Sequence, residues 1–290
     1  MKDRSVPGAE TDDGRAPGAI PTLRLNDGAR LPQIGLGTWP LDDDEVEEAI
    51  VAAARLGYRH IDTGEPYGNE VGVGRGVRSS NLPRSEFFIS TKLDGKYQGG
   101  DRAIAGLEGS LERMQLDYVD LVLIHWPLPL LGEYVSTWHT FETLLARGLT
   151  KSIGVSNFAP AHLAKLIAES SIVPAVNQIQ VSPHVPRADY LAFHEQHGIA
   201  TIAWSPLGGG TLLTDPVITK IAAEHDVSPA QVVLRWYVQQ GMAAVPKTKN
   251  PARMLENRTV FDFQLTSHDM VAMKSLAGGA EAVDPETDGH

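Results

Sequence analysis

Between residues 21 and 276, short apolar or β-branched runs alternate with longer stretches in which apolar side chains recur every three to four positions. One run is "IGLGT". The others end near Asp62, Lys92 ("EFFISTK"), His125 ("VDLVLIH"), Ser156 ("SIGVS"), Gln178 ("AVNQ"), Ser205 ("ATIAWS") and Pro246 ("MAAVP"), each followed by a segment of helical spacing. "VDLVLI" is apolar without alternation, as befits a strand buried on both faces of a parallel sheet. Eight such units predict an α/β chain folded as a single (β/α)8 TIM barrel. Two additions are predicted. A hairpin turning at Asn26-Asp27-Gly28 precedes the barrel, and an extra helix, "DPVITKIAAEHD", stands before "SPAQVVLRWYVQQG". The first long helix is "DDDEVEEAIVAAARLG", with aspartates in its first turn, Val46, Ala49, Ile50 and Ala53 on one face and Gly57 as its stop.

The 290 residues would allow two domains, but no shift of composition marks a linker, so residues 21–276 are read as one domain between a flexible tail, 1–20, and a short C-terminal tail, 277–290. Both tails are polar and rich in Gly and Pro, and are expected to fray or to lie loosely on the surface. With 25 basic and 36 acidic residues, the net charge of -11 argues against nucleic acid or anionic membrane as partner. The absence of cysteine excludes disulfides and thiolate chemistry. The first twenty residues hold no apolar run suited to a signal peptide, and no uncharged apolar stretch approaches the ~18 residues of a membrane span. A cytoplasmic monomer is expected.

Polar residues gather where the runs end. In a barrel those ends meet at one mouth, so Asp62, Lys92, His125 and, on the loop after the second run, Tyr67 should converge. An ammonium about 4 Å from a phenol stabilises the phenolate by roughly 4 kcal/mol at an effective dielectric of 20. That would lower the pKa of Tyr67 by roughly 3, from 10 to near 7, where a general acid works best. Asp62 would keep Lys92 charged, and a neutral His125 would orient the substrate oxygen. Taken singly, each of the four has an ordinary structural reading. His60 and Asp62 share a strand face and with His125 suggest a metal site, but Lys92 would repel a cation, so no metal is expected and His60 is read as a hydrogen-bonded residue in the layer below. "GVGRG" (72–76) does not follow a strand, fails as a dinucleotide fingerprint and is read as helix packing. Trp39 and Trp126 are read as lining a substrate pocket or, equally, as core; Trp138 and Trp236 as packing; His162, His194 and His197 as surface or loop residues.

"GLGTW", "YRHIDT", "YGNE", "STK", "LIHWP", "SIGVSNF", "NQIQ", "WSPLG" and "PKTKNPARMLEN" stand in the order found in the aldo-keto reductases. The chain resembles that family from about residue 21 to 276, and through "HWP" and Trp204 it is most similar to the bacterial diketogluconate reductase branch. The resemblance implies NADPH-dependent reduction of a small carbonyl substrate, an aldehyde or ketone, with Tyr67 as proton donor. It implies that Ser156, Asn157 and Gln178 hold the nicotinamide carboxamide, that Trp204 stacks on the ring, and that the backbone of Ser205, Leu207 and Gly208 approaches the pyrophosphate. Lys247, Thr248 and Arg253 would take the 2'-phosphate, with Glu256 and Asn257 at the adenine. There are departures. Gly64 stands where many relatives have alanine, Glu65 and Pro66 precede Tyr67 and would bring negative charge near the mouth, and Trp204 replaces a common tyrosine. An NADPH-binding regulatory or structural protein with vestigial catalysis is the alternative, and a metal hydrolase on the same barrel is a third reading.

Overall fold

The computed structural model describes residues 19–289. β1 (Thr22–Arg24) and β2 (Arg30–Pro32) form the antiparallel hairpin, Leu23 opposite Leu31. Gly28 completes its turn at φ +92°, a conformation that favours glycine. Eight parallel strands follow in sequential order: β3 (Leu36–Gly37), β4 (His60–Asp62), β5 (Phe88–Leu93), β6 (Val119–Ile124), β7 (Thr150–Ser156), β8 (Val176–Ile179), β9 (Ala200–Ala203) and β10 (Ala243–Ala244). A bridge between Ile34 and Ala244 and the bonds Gly35 N–H to the Ala244 carbonyl (2.9 Å) and Ala244 N–H to the Gln33 carbonyl (2.8 Å) bring the last strand back to the first. The predicted barrel is the observed one. Leu121, Val122, Leu123 and Ile124 are all buried, as their unbroken apolar run requires.

Helices α1 (Asp43–Arg55), α2 (Glu70–Ser79), α3 (Gly100–Met114), α4 (Tyr134–Ala146), α5 (Pro160–Ala168), α6 (Ala188–His197), α7 (Pro216–Glu224), α8 (Pro229–Gln239), α9 (Pro251–Arg258) and α10 (Ser267–Lys274) flank the sheet. At the start of α1, Asp42 accepts from the Asp44 and Glu45 amides while Glu45 returns a bond to the Asp42 amide. In "GVGRG", Gly72, Val73, Gly74 and Gly76 lie on the buried side of α2. A Cβ on Gly74 would lie 1.9 Å from the Met114 carbonyl oxygen, and one on Gly72 would lie 2.1 Å from that of Asp43, so these glycines exist for close approach to α3 and α1. Gly74→Ala is therefore expected to cost about 1–3 kcal/mol, read as a fall in the denaturant midpoint; an unchanged midpoint would contradict this packing.

Trp138 and Trp236 are core residues. Two histidines read as surface residues are not. His162 is buried, and so is His194, which bonds Asn177 (2.9 Å) and Thr201 (2.8 Å) and is kept neutral by burial, its pKa pushed down to about 4. Helical spacing shows which face His194 occupies but not that a polar pair awaits it inside. Since an unfolded histidine titrates near pH ~6.5, the unfolded chain binds a proton that folded His194 refuses. Stability is thus lost as pH falls from about 6.5 towards about 4. The melting temperature should fall across this window, and less steeply in His194→Gln; equal slopes would refute the assignment.

Residues 1–18 of the predicted N-terminal tail lie outside the described residues, and Ile20 is buried in the core. The segment after α10 does not lie loosely. Val283 donates to the Gln180 side chain (2.7 Å), Arg187 donates to the Val283 carbonyl (2.6 Å), and Glu286 pairs with buried His162 (2.9 Å). Polar composition had hidden these specific anchors.

Candidate active site

The parallel register sets Asp62 of β4 beside Ser90 of β5, and Lys92 lies two residues nearer the mouth on the same inward face. The Lys92 ammonium, with its side chain 1% exposed, donates to Asp62 Oδ2 (2.7 Å) and to the Thr63 carbonyl (2.8 Å). The second carboxylate oxygen, Oδ1, accepts from Ser90 Oγ (2.8 Å) and from Gln178 Nε2 (2.8 Å). A buried charge must be paired and hydrogen-bonded to persist, and Asp62 and Lys92 satisfy one another.

Tyr67 closes a short turn, Glu65–Tyr67, on the loop after β4. Its ring centroid lies 5.1 Å from Lys92 Nζ and 6.0 Å from the His125 ring. The loop is held from behind by buried Asn69, which accepts from Thr63 Oγ1 (2.9 Å) and donates to the Leu41 and Thr38 carbonyls (2.9 and 3.2 Å). Gly64 has a steric role here, because an alanine Cβ would sit 3.2 Å from the Tyr67 ring. Glu65 does not place a bare charge at the mouth, for it is largely buried and paired with Lys96 (3.0 Å). The four predicted residues do converge.

The expected tuning of the phenol does not follow. Burial pushes the Tyr67 hydroxyl above its ordinary 10; Lys92 pulls the other way, and Asp62 pushes up again. An isolated ammonium would lower the pKa of the phenol. In the structure Asp62 lies 2.7 Å from that ammonium and cancels much of its field, while desolvation, invisible in a sequence, opposes the phenolate. For Lys92 itself burial works against the charge, but Asp62 and Tyr67 outweigh it and its pKa rises.

Of the expected cofactor residues, Ser156, Asn157, Gln178, Trp204, Ser205 and Lys247 border the same cavity as Asp62, Tyr67 and His125. Ser156 Oγ donates to the Gln178 carbonyl (2.9 Å), Asn157 Nδ2 donates to the His125 carbonyl (3.1 Å), and Trp204 Nε1 donates to Asn157 Oδ1 (2.8 Å). Past Ser205, the backbone of Leu207 leads into Gly208, Gly209 and Gly210 at φ +57°, +63° and +100°. A Cβ on Gly209 or Gly210 would meet nothing within 4 Å, so this left-handed backbone is open to an approaching group. Lys247 and Arg253 are exposed, and buried Thr248 accepts from the Asn250 amide (3.1 Å). Arg253, Glu256 and Asn257 share α9; the Glu256 carboxylate accepts from Ser228, and Asn257 is buried.

A cavity of about 340 Å³ is walled by Trp39, Tyr67, His125, Trp126, Trp204 and Lys247. Trp39 is 59% exposed and borders this cavity, so it is not a core residue. A larger recess, about 650 Å³, opens beside the hairpin among Arg30, Arg59, Asp120 and Lys151, away from all four catalytic candidates. Among the described residues no three His, Asp or Glu side chains are grouped to hold a metal. His60 instead bonds Ser90 (3.1 Å) and packs edge-on against Phe88.

Sequence reasoning gave no role to Ser90, Thr63 or Asn69. Asn69 lies in the quoted "YGNE", but only the three-dimensional loop shows what it clamps.

Residues 33–277 match the model of the Aldo/keto reductase family. An aldo-keto reductase of Mycolicibacterium smegmatis is 47% identical over 268 residues, covering 92% of this chain and 98% of that one. The 2,5-diketo-D-gluconic acid reductase B of a Corynebacterium strain is 44% identical over 261 residues, covering 90% and 94%. Among solved structures, a single-substitution variant of Gox0644 in complex with NADPH superposes with a TM-score of 0.90 at 41% identity, covering 94% of this chain and 100% of that one.

Proposed function

Since the chain belongs to the aldo/keto reductase family, we propose that it reduces an aldehyde or ketone to the alcohol with NADPH, Tyr67 serving as proton donor. The observation that carries this reading is the buried Asp62–Lys92 pair standing against a phenol that faces a cavity. The carbonyl oxygen of a substrate would lie between the Tyr67 hydroxyl and the His125 imidazole, with the remainder against Trp39 and Trp126. A reduced nicotinamide, when bound, supplies the hydride. Tyr67 gives its proton to the oxygen as negative charge develops there. A phenol with a pKa above 10 still suffices, because an alkoxide is a far stronger base than a phenolate and takes the proton downhill. Lys92 then stabilises the phenolate left behind, and Asp62 keeps Lys92 in place. The tyrosine thus works through a difference of basicity rather than through a depressed pKa.

The residues present fit a dinucleotide. The open glycine backbone suits a pyrophosphate, Trp204 offers an aromatic wall, and exposed Lys247 and Arg253 suit a 2'-phosphate. Arg253→Ala is expected to weaken NADPH about tenfold or more, the worth of a charge-assisted hydrogen bond, and NADH less than twofold. Equal losses in a fluorescence titration would reject this role. Likeness to the diketogluconate reductase is matched by likeness to the mycobacterial protein, so it does not single out that branch. The reading as a whole is tested by following nicotinamide absorbance with the protein, NADPH and a panel of reactive aldehydes. Tight NADPH binding without turnover of any member would overturn it in favour of a binding role.

A further inference from the structure

Asp62 is held at both oxygens. Lys92 takes Oδ2, and its partnership with Tyr67 belongs to the reduction already described. The other oxygen, Oδ1, accepts from Gln178 and from Ser90. Ser90 is fully buried on the inward face of β5, and behind it, one layer deeper, lies fully buried His60 with Nε2 3.1 Å from Ser90 Oγ.

The proton count fixes the direction of this chain. An ionised carboxylate only accepts, and a serine hydroxyl has one proton to give. Ser90 spends that proton on Asp62 Oδ1, 2.8 Å away, rather than on the Ile61 carbonyl at 3.4 Å. Its oxygen must then receive, so His60 carries its proton on Nε2 and donates. Gly35 packs against the other ring nitrogen so closely that a Cβ there would lie 2.6 Å from His60 Nδ1. Burial also keeps the imidazole neutral, with a pKa near 4, so the chain ends in a group that does not take up a proton. It orients; it does not conduct.

We infer that Ser90, aligned by the Nε2–H tautomer of His60, is a positioning residue that fixes Asp62 and through it the ammonium that serves the Tyr67 acid. The inference rests on the reductase reading. With Ser90 absent, Asp62 keeps Lys92 and Gln178 but can rotate about its side-chain bonds, and the ammonium follows. Both Ser90 and His60 are fully buried and neither lines the cavity, so the effect is expected in the chemical step.

The test compares Ser90→Ala, Ser90→Thr and Ser90→Cys in steady-state reduction of 4-nitrobenzaldehyde by NADPH, with melting temperature and NADPH affinity measured alongside. Ser90→Ala should lower kcat about tenfold, the worth of one hydrogen bond to a charged group. KM and NADPH affinity should change less than twofold. Ser90→Thr, which restores a hydroxyl, should recover most of the rate, while Ser90→Cys, near in size but a weak donor, should resemble alanine. His60→Leu should reproduce part of the loss and His60→Gln, which keeps an N–H donor, less of it. An unchanged kcat in Ser90→Ala would overturn the inference, as would equal losses in Ala and Thr or a loss carried wholly by KM. If Ser90→Ala does not fold, the contrast between Cys and Thr decides. No turnover by the unaltered protein would count against the reduction itself, whereas an active protein indifferent to Ser90 would count against this inference alone.

Discussion

Tyr67→Phe is expected to lower kcat for aldehyde reduction by about three orders of magnitude, within the range by which a positioned proton donor accelerates reaction. The ring and its contact with His125 are kept and only the hydroxyl is lost. Lys92 retains Asp62 and the Thr63 carbonyl, so no buried charge is stranded and the fold should be little affected. NADPH affinity should stay within about twofold, because a dinucleotide would rest on Trp204, the glycine backbone and Arg253 rather than on the phenol. The measurement is single-turnover oxidation of bound NADPH, beside a fluorescence titration of the same variant. A variant within tenfold of the parent would remove Tyr67 from the acid role and direct attention to His125.

Lys92→Met should damage both rate and stability, and the combination sets it apart. Removing the ammonium leaves Asp62, its side chain only 5% exposed, without its counter-ion. Breaking a buried pair in this way costs about 3–5 kcal/mol. The phenolate formed in the reaction loses a cation whose field Asp62 already offsets in part, so the loss is smaller than the roughly 4 kcal/mol of an isolated ammonium at about 4 Å and an effective dielectric of 20, a fall in rate of roughly a hundredfold. Adding Asp62→Leu to Lys92→Met should restore much of the stability and none of the rate. Denaturant unfolding and kcat measured on the two variants separate these effects. A stable, fully active Lys92→Met would dispose of the electrostatic account, and recovery of rate in the double variant would show that Lys92 matters only as a partner for Asp62.

The positions of Asp62, Lys92 and His125 were legible because a run of β-branched and apolar residues ending in a polar one marks the open end of a barrel strand. Tyr67 was legible from its loop motif, and "GVGRG" was correctly read as packing because it lacks the strand that a dinucleotide turn requires. Interactions that depend on register were not legible. Ser90 meets Asp62 only because β4 and β5 pair in one particular offset, and Gln178 reaches the same carboxylate across the barrel from a residue 116 positions away in sequence. Nor does a sequence show dehydration. It displays the charges of Asp62 and Lys92 but not the burial that raises the pKa of Tyr67, nor the burial of His162 and His194. Glu65 shows the same gap, since its partner Lys96 arrives from a different loop.

The anchored C-terminal segment bears on how the protein should be handled. Gly289 lies so near Trp126 that a Cβ on it would stand 2.9 Å from the indole, and Trp126 lines the cavity. Anything fused after this residue sets out from the rim of that opening. A purification tag placed there would crowd the entrance and distort measured affinities for bulky compounds, whereas a fluorophore or immobilising linker attached at the same point would report directly on traffic through it.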